Sequence, residues 1–235
     1  MALNTERRRL SKELPPNLSD LLNKLIIHAN AFIEQFDIRE KVLKQIVREI
    51  EVIATKVKEM QKEKLGRPWD LTLFVPFTEH WNFVAAEGDV AVVNVSKSQE
   101  KQYAEMVEKL GHKFNGIIEP LKNELKEIKT TCEKLEQEST EILAAHSLSD
   151  MVQFQWILSR VSYLGKRSGG IMDMIMIWIK KIGDFVRLIL SFFHLCDSED
   201  KQLADVIIQS ASQCRKIVLE LDMMKTELTD FTKNT

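Results

Sequence analysis

Apolar residues recur along this chain at spacings of three and four over most of its length, and the recurrence predicts helices. Leu18, Leu22, Leu25, Ala29, Phe32 and Phe36 fall on one face of a short amphipathic helix. Pro15 and Pro16 precede it, and Asn17 is placed to cap its first turn. A second helix is expected from about Ile38 to Leu65. There Ile46, Ile53 and Met60 step by seven, Ile50 and Val57 fall between them, and Gly66 and Pro68 end the run. The longest pattern covers residues 97–145. Val107, Phe114, Leu121, Ile128, Leu135 and Ile142 repeat every seven residues, the mark of a long helix packed in a coiled-coil manner. Their apolar partners lie three residues on at first (Leu110, Ile117) and four residues on after Pro120 (Leu125, Cys132). A change of register and a kink are therefore expected at Pro120, which has no N–H to donate. A helix of this length extends about 70 Å, so the molecule should be a rod.

Ser147 to Asp150 matches a capping box that opens the next helix, which is expected to end at Gly165. Lys166, Arg167, Ser168, Gly169 and Gly170 read as a break. A very apolar helix follows over 171–196, and a last one over about 200–231. In the last, Ile207, Cys214, Leu221 and Leu228 step by seven with Ala211 and Val218 between them. The pattern as a whole predicts an all-α fold. It is a single domain, an elongated bundle of long antiparallel coiled-coil-like helices, with a flexible leader over 1–16 and a small apolar non-helical tongue or loop between two of the helices.

That tongue is 69–95, the one stretch without a helical period. Trp69, Leu71, Leu73, Val75 and Phe77 alternate as on a strand, and Val90, Val92 and Val95 form a second β-branched run. Pro76 argues against a regular strand. Two readings stand for this segment. It is a crossover whose aromatics cap the bundle end, or it is an exposed apolar tip that meets a membrane or a partner. The second unusual stretch is 171–196, of whose 26 residues 18 are apolar. Asp173, Lys180, Asp184 and Arg187, then Ser191 and His194, form one narrow polar stripe along it. Here too two readings stand: the central buried helix of a bundle, or a helix released from the soluble form onto a membrane, with Lys166–Gly170 as its hinge.

Charge narrows the function classes. Lys and Arg number 33 and Asp and Glu 35, and Arg7, Arg8 and Arg9 are the one basic run, so a nucleic-acid partner is not expected. Cys132, Cys196 and Cys214 are far apart and sit at apolar helical positions, as reduced core thiols do. No signal-peptide pattern is seen at the N-terminus. A soluble protein is expected, cytoplasmic or released by a non-classical route. Catalytic motifs are missing from the sequence: the five histidines are isolated, there is no phosphate-binding glycine loop and no nucleophile elbow. Glu79-His80 is the one spot to inspect for acid–base chemistry. No enzyme, metal or cofactor is expected.

Long heptad helices, an apolar tongue between two of them and a separate very apolar helix together resemble the α-helical pore-forming toxins of the cytolysin A and xenorhabdolysin type. The stretches that carry the resemblance are Leu71–Val95 as the tongue-like element and Ile171–Cys196 as the apolar helix. The resemblance implies a soluble rod that switches to a membrane-bound form. The partners it implies are a lipid membrane, further copies of the chain, or both, with a second protein component as a further partner. The implied contact residues are Trp69, Leu73, Phe74, Phe77, Trp81 and Phe83 in the tongue, and Ile175, Trp178, Ile179, Phe185, Ile189, Phe192 and Phe193 in the apolar helix. The competing expectation is an intracellular coiled-coil scaffold whose heptad faces bind partner helices.

Overall fold

The computed structural model describes residues 16–65, 97–143, 151–192 and 200–235, with side chains described for 16–60, 102–140, 155–181 and 205–235. All described residues except Thr235 are helical. The four helices are α1 (Pro16–Leu65), α2 (Lys97–Leu143), α3 (Met151–Phe192) and α4 (Asp200–Asn234). Each packs on its neighbours in the closed order α1, α2, α3, α4. Contacts at two levels of each seam give the directions. Along α1 and α2, Lys24 meets Glu127 and His28 meets Glu124. Along α2 and α3, Cys132 faces Gly165 and Phe114 packs on Trp178. Along α3 and α4, Tyr163 meets Glu227 while Trp178 lies toward Cys214. Along α4 and α1, Arg215 pairs with Glu51 and Lys225 with Asp37. Every neighbouring pair is antiparallel, so the fold is an all-α, up-down-up-down four-helix bundle.

Two of the helices are longer than their sequence suggests. The expected helices 17–36 and 38–65 are one, α1, because both obey a single heptad frame. Leu18, Leu25, Phe32, Ile46, Ile53 and Met60 form one buried row, and Ala29, Phe36, Leu43, Ile50 and Val57 form the other. Arg39 takes the one polar turn of the first row, half-buried, and donates to the Gln35 carbonyl. The helix begins at Pro16, ahead of the expected cap at Asn17. A proline suits this place because its missing N–H would have no helical partner in the first turn.

The expected register change at Pro120 does not occur. The buried partners of Val107, Phe114, Leu121, Ile128 and Leu135 are Ala104, Gly111, Ile118, Leu125, Cys132 and Ser139, an unbroken row on both sides of the proline. Leu110 and Ile117 are only half-buried at the edge of the core. Pro120 stays inside α2, where it forgoes the hydrogen bond to the Gly116 carbonyl. Packing along the whole face outweighs that single loss.

The expected break at Lys166–Gly170 is also helix. Ile157, Leu164, Ile171 and Trp178 form one buried row of α3 and Val161, Ser168 and Ile175 the other, so the heptad runs straight through the glycines. Gly165 is a packing residue. A Cβ there would sit 2.9 Å from the Cys132 Cβ of α2, inside van der Waals contact. The absent side chain lets α2 and α3 approach closely. The expected tongue, 69–95, the capping box at Ser147–Asp150 and Glu79-His80 lie outside the described residues.

Two glycine substitutions separate packing from propensity. Gly165→Ala forces α2 and α3 apart and should lower unfolding stability by about 1–3 kcal/mol. Gly116→Ala projects into open space on the exposed side of α2 and should raise stability by about 0.5–1 kcal/mol. Urea titrations of both variants check the pair. A neutral Gly165→Ala would be incompatible with the close α2–α3 approach.

Candidate functional surface on helix α3

α3 is the most apolar of the four helices. Its inner rows point into the core: Ile171, Ile175 and Trp178 are at most 2% exposed. The Trp178 ring meets Phe114 of α2 edge-on, with centroids 4.7 Å apart. Its indole N–H lies toward the Cys214 thiol of α4, yet meets no acceptor at hydrogen-bonding geometry. Trp178 thus ties three helices together. The opposite face of α3 is not polar throughout. Met176 and Ile177 are 53% and 57% exposed, next to the exposed Asp173, Lys180 and Lys181.

Among the contact residues expected from the sequence, Ile175 and Trp178 are buried in this conformation, and Ile179 is half-buried against the core. Phe185, Ile189 and Phe192 belong to α3 by their backbone, with side chains outside the described residues. Trp69, Leu73, Phe74, Phe77, Trp81, Phe83 and Phe193 also fall outside them. Asp173 and Lys180, the first members of the expected polar stripe, do face solvent. Met176 and Ile177, which face it with them, were not expected as contacts. Their exposure depends on which rows of α3 the bundle takes up, and in an all-apolar stretch the sequence does not mark that.

Sequence reasoning also missed a polar clamp between α3 and α4. Arg167 reaches across the seam, donating to Glu227 at 2.8 Å and to Glu220 at 3.2 Å. Tyr163, one turn earlier, donates its hydroxyl to Glu227 at 2.9 Å and accepts from Arg167 at 2.9 Å. The seven-residue spacing of Glu220 and Glu227 puts both carboxylates on one flank of α4, so a single guanidinium serves both. The signal in the sequence was faint, since charges at this spacing occur on every exposed helix face. α3 also carries several buried polar atoms. Arg167 Nε, Ser168 Oγ and Trp178 Nε1, all on α3, find no protein partner among the described residues. Such groups cost about 1–3 kcal/mol each, and Gln35 Oε1 on α1 and Glu227 Oε2 on α4 are in the same state.

At the α1–α2 seam His28 Nδ1 hydrogen-bonds Glu124 at 2.8 Å, and Lys24 lies 3.5 Å from Glu127. Burial raises the Glu51 carboxyl above its ordinary pKa despite Arg215 beside it. Burial pushes the Cys132 thiol up to about 12 and raises that of Cys214 as well, so neither is a ready nucleophile. Among the described residues no group of three His, Cys, Asp or Glu side chains is placed to hold a metal ion, and no helix is long and apolar enough to cross a membrane. Searches of family models, curated proteins and solved structures find no match to this chain.

Arg167→Ala leaves two part-buried carboxylates without their cation and should cost about 2 kcal/mol of stability, read in the same urea titrations. Loss of less than about 0.5 kcal/mol would show that the clamp is a solvated surface pair. Alkaline pH tests the thiols. A group whose folded pKa is raised holds its proton longer in the folded state. The stability from Cys132 is therefore complete below pH 9.0 and is lost as pH rises toward about 12. Each thiol contributes a slope of up to about 1.4 kcal/mol per pH unit in that window, and Lys225, raised by its bond to Asp37, adds loss at the upper end. Melting midpoints should fall between pH 9 and 11, and fall less steeply in Cys132→Ala/Cys214→Ala. Equal slopes would exclude the thiols as the cause.

Proposed function

We propose that this chain is a non-enzymatic, membrane-active helical protein in which α3 is the element that meets lipid. The observation that carries the reading is the exposed Met176–Ile177 step beside Lys180 and Lys181, on the most apolar helix of the bundle. Apolar side chains flanked by lysines suit a helix lying in the interface between headgroups and acyl chains. A spanning role for this part of α3 is less favourable, since Asp173, Lys180 and Lys181 would each cost about 2.5–3.5 kcal/mol at a bilayer centre.

First contact would use the exposed step. Release of α3 would then bring Ile171, Ile175 and Trp178 to the same surface. Apolar burial at about 25 cal/mol per Å² favours either the closed bundle or lipid, so two states a few kcal/mol apart are physically accessible. The scaffold alternative has less support: among the described residues both heptad rows of α1, α2 and α4 are turned inward.

Flotation with liposomes, with dye release read in the same tubes, tests the proposal. The wild type should float with anionic vesicles and release dye. Met176→Asp/Ile177→Asp should stay at the bottom while keeping its melting midpoint, because both side chains are exposed. Lys180→Glu/Lys181→Glu should bind anionic vesicles more weakly, by about 1 kcal/mol per lysine. A wild type that floats with neither anionic nor neutral vesicles would sink the reading.

A further inference from the structure

The outer face of α3 carries a third, exposed row at seven-residue spacing: Trp156, Tyr163 (whose hydroxyl reaches back to Glu227 of α4), Gly170 and Ile177. The three side chains are 45%, 51% and 57% exposed, and a Cβ at Gly170 would meet nothing within 4 Å. Lys166 and Asp173 lie on the adjacent row, three residues on from Tyr163 and Gly170, both exposed and free of ion pairs among the described residues. Among the described residues the other helices expose large apolar side chains more sparsely: Ile27, Ile38 and Val52 along α1, Met106 on α2 and Met223 on α4.

We infer that this face is a self-association surface, and that its occupant is α3 of a second copy of this chain, packed antiparallel about a two-fold axis between Gly169 and Gly170. The charge pattern selects both partner and direction. About that point Lys166 of one copy falls opposite Asp173 of the other, and symmetry makes the pair twice. Tyr163 falls opposite the Met176–Ile177 step, and Ser159 opposite Lys180. Gly170 at the centre admits the close approach of a second helix backbone. A parallel arrangement would set Lys166 over Lys166 and Asp173 over Asp173, which like-charge repulsion disfavours. Trp156, with Arg160 stacked 5.3 Å over its ring, closes each end of the row as an amphipathic rim.

The inference is independent of the membrane reading, although both use the Met176–Ile177 step. Dimerisation would hide that step in the absence of lipid, so dimer and membrane would compete for it. The test is therefore made without lipid. Sedimentation velocity across a concentration series should show the wild type moving reversibly from monomer to dimer. Lys166→Asp and Asp173→Lys each place like charges across the axis twice and should weaken dimerisation about tenfold. The double variant Lys166→Asp/Asp173→Lys reverses both partners and should restore it. Both substitutions are on exposed positions, and a circular dichroism melt of each of the three variants checks that the fold is kept. A wild type that stays monomeric at every concentration, a dimer indifferent to the single reversals, or a double variant no better than the singles would each overturn the inference.

Discussion

Two rows of small and apolar residues on each helix, spaced by seven, have to face a single axis at once. Nearly every other feature of the bundle follows from meeting that condition. The chain keeps the repeat from Leu18 to Met60 in α1 and from Ala104 to Ser139 in α2, and the repeat carries helix across places where local signals argue for a stop. Pro120 and the glycines at 165, 169 and 170 all lie inside helices for this reason. Losing one backbone hydrogen bond, or about 1 kcal/mol of helix propensity per glycine, is small against the continuous burial of a whole face.

Within that frame α3 is the exception. Gly165 brings its backbone close to α2, and the Arg167 clamp adds charge pairing to its contact with α4. Three of its buried polar atoms lack protein partners, and its outer face is apolar at intervals. A helix that is apolar on both sides and imperfectly satisfied inside is well suited to exchange one apolar environment for another. That property links the packing analysis to a lipid surface and to a second copy of the chain alike, and it is why both proposals concern the same face.

The charged residues are otherwise spent on solubility and register. Lys129–Glu133, at 3.7 Å with both side chains well exposed, is the kind of pair that adds little. Glu51–Arg215 and Asp37–Lys225 sit where α1 meets α4 and fix which turn of one helix lies against which turn of the other. The thiols of Cys132 and Cys214 serve as small core side chains, one against Gly165 and the other beneath Trp178.

Much of this was legible in the residues alone. The seven-residue steps of Val107 to Leu135 and of Ile207 to Leu228 are local properties, and a period determines helix and buried face wherever it is long enough. The all-α class, the antiparallel long helices and the burial of Cys132 and Cys214 were therefore determined by sequence, while Cys196 lies outside the described residues. Where helices end was misjudged at Phe36–Ile38 and at Gly165–Gly170, because turn-forming residues act locally while the packing that overrides them comes from the partner helix. The placement of Gly165 against Cys132, the union of Arg167, Tyr163, Glu220 and Glu227, and the exposure of Met176 and Ile177 beside a buried Trp178 were decided only by tertiary structure. In an apolar helix several faces are equally fit for burial, and only the neighbours that close around it determine which face is left for something else to bind.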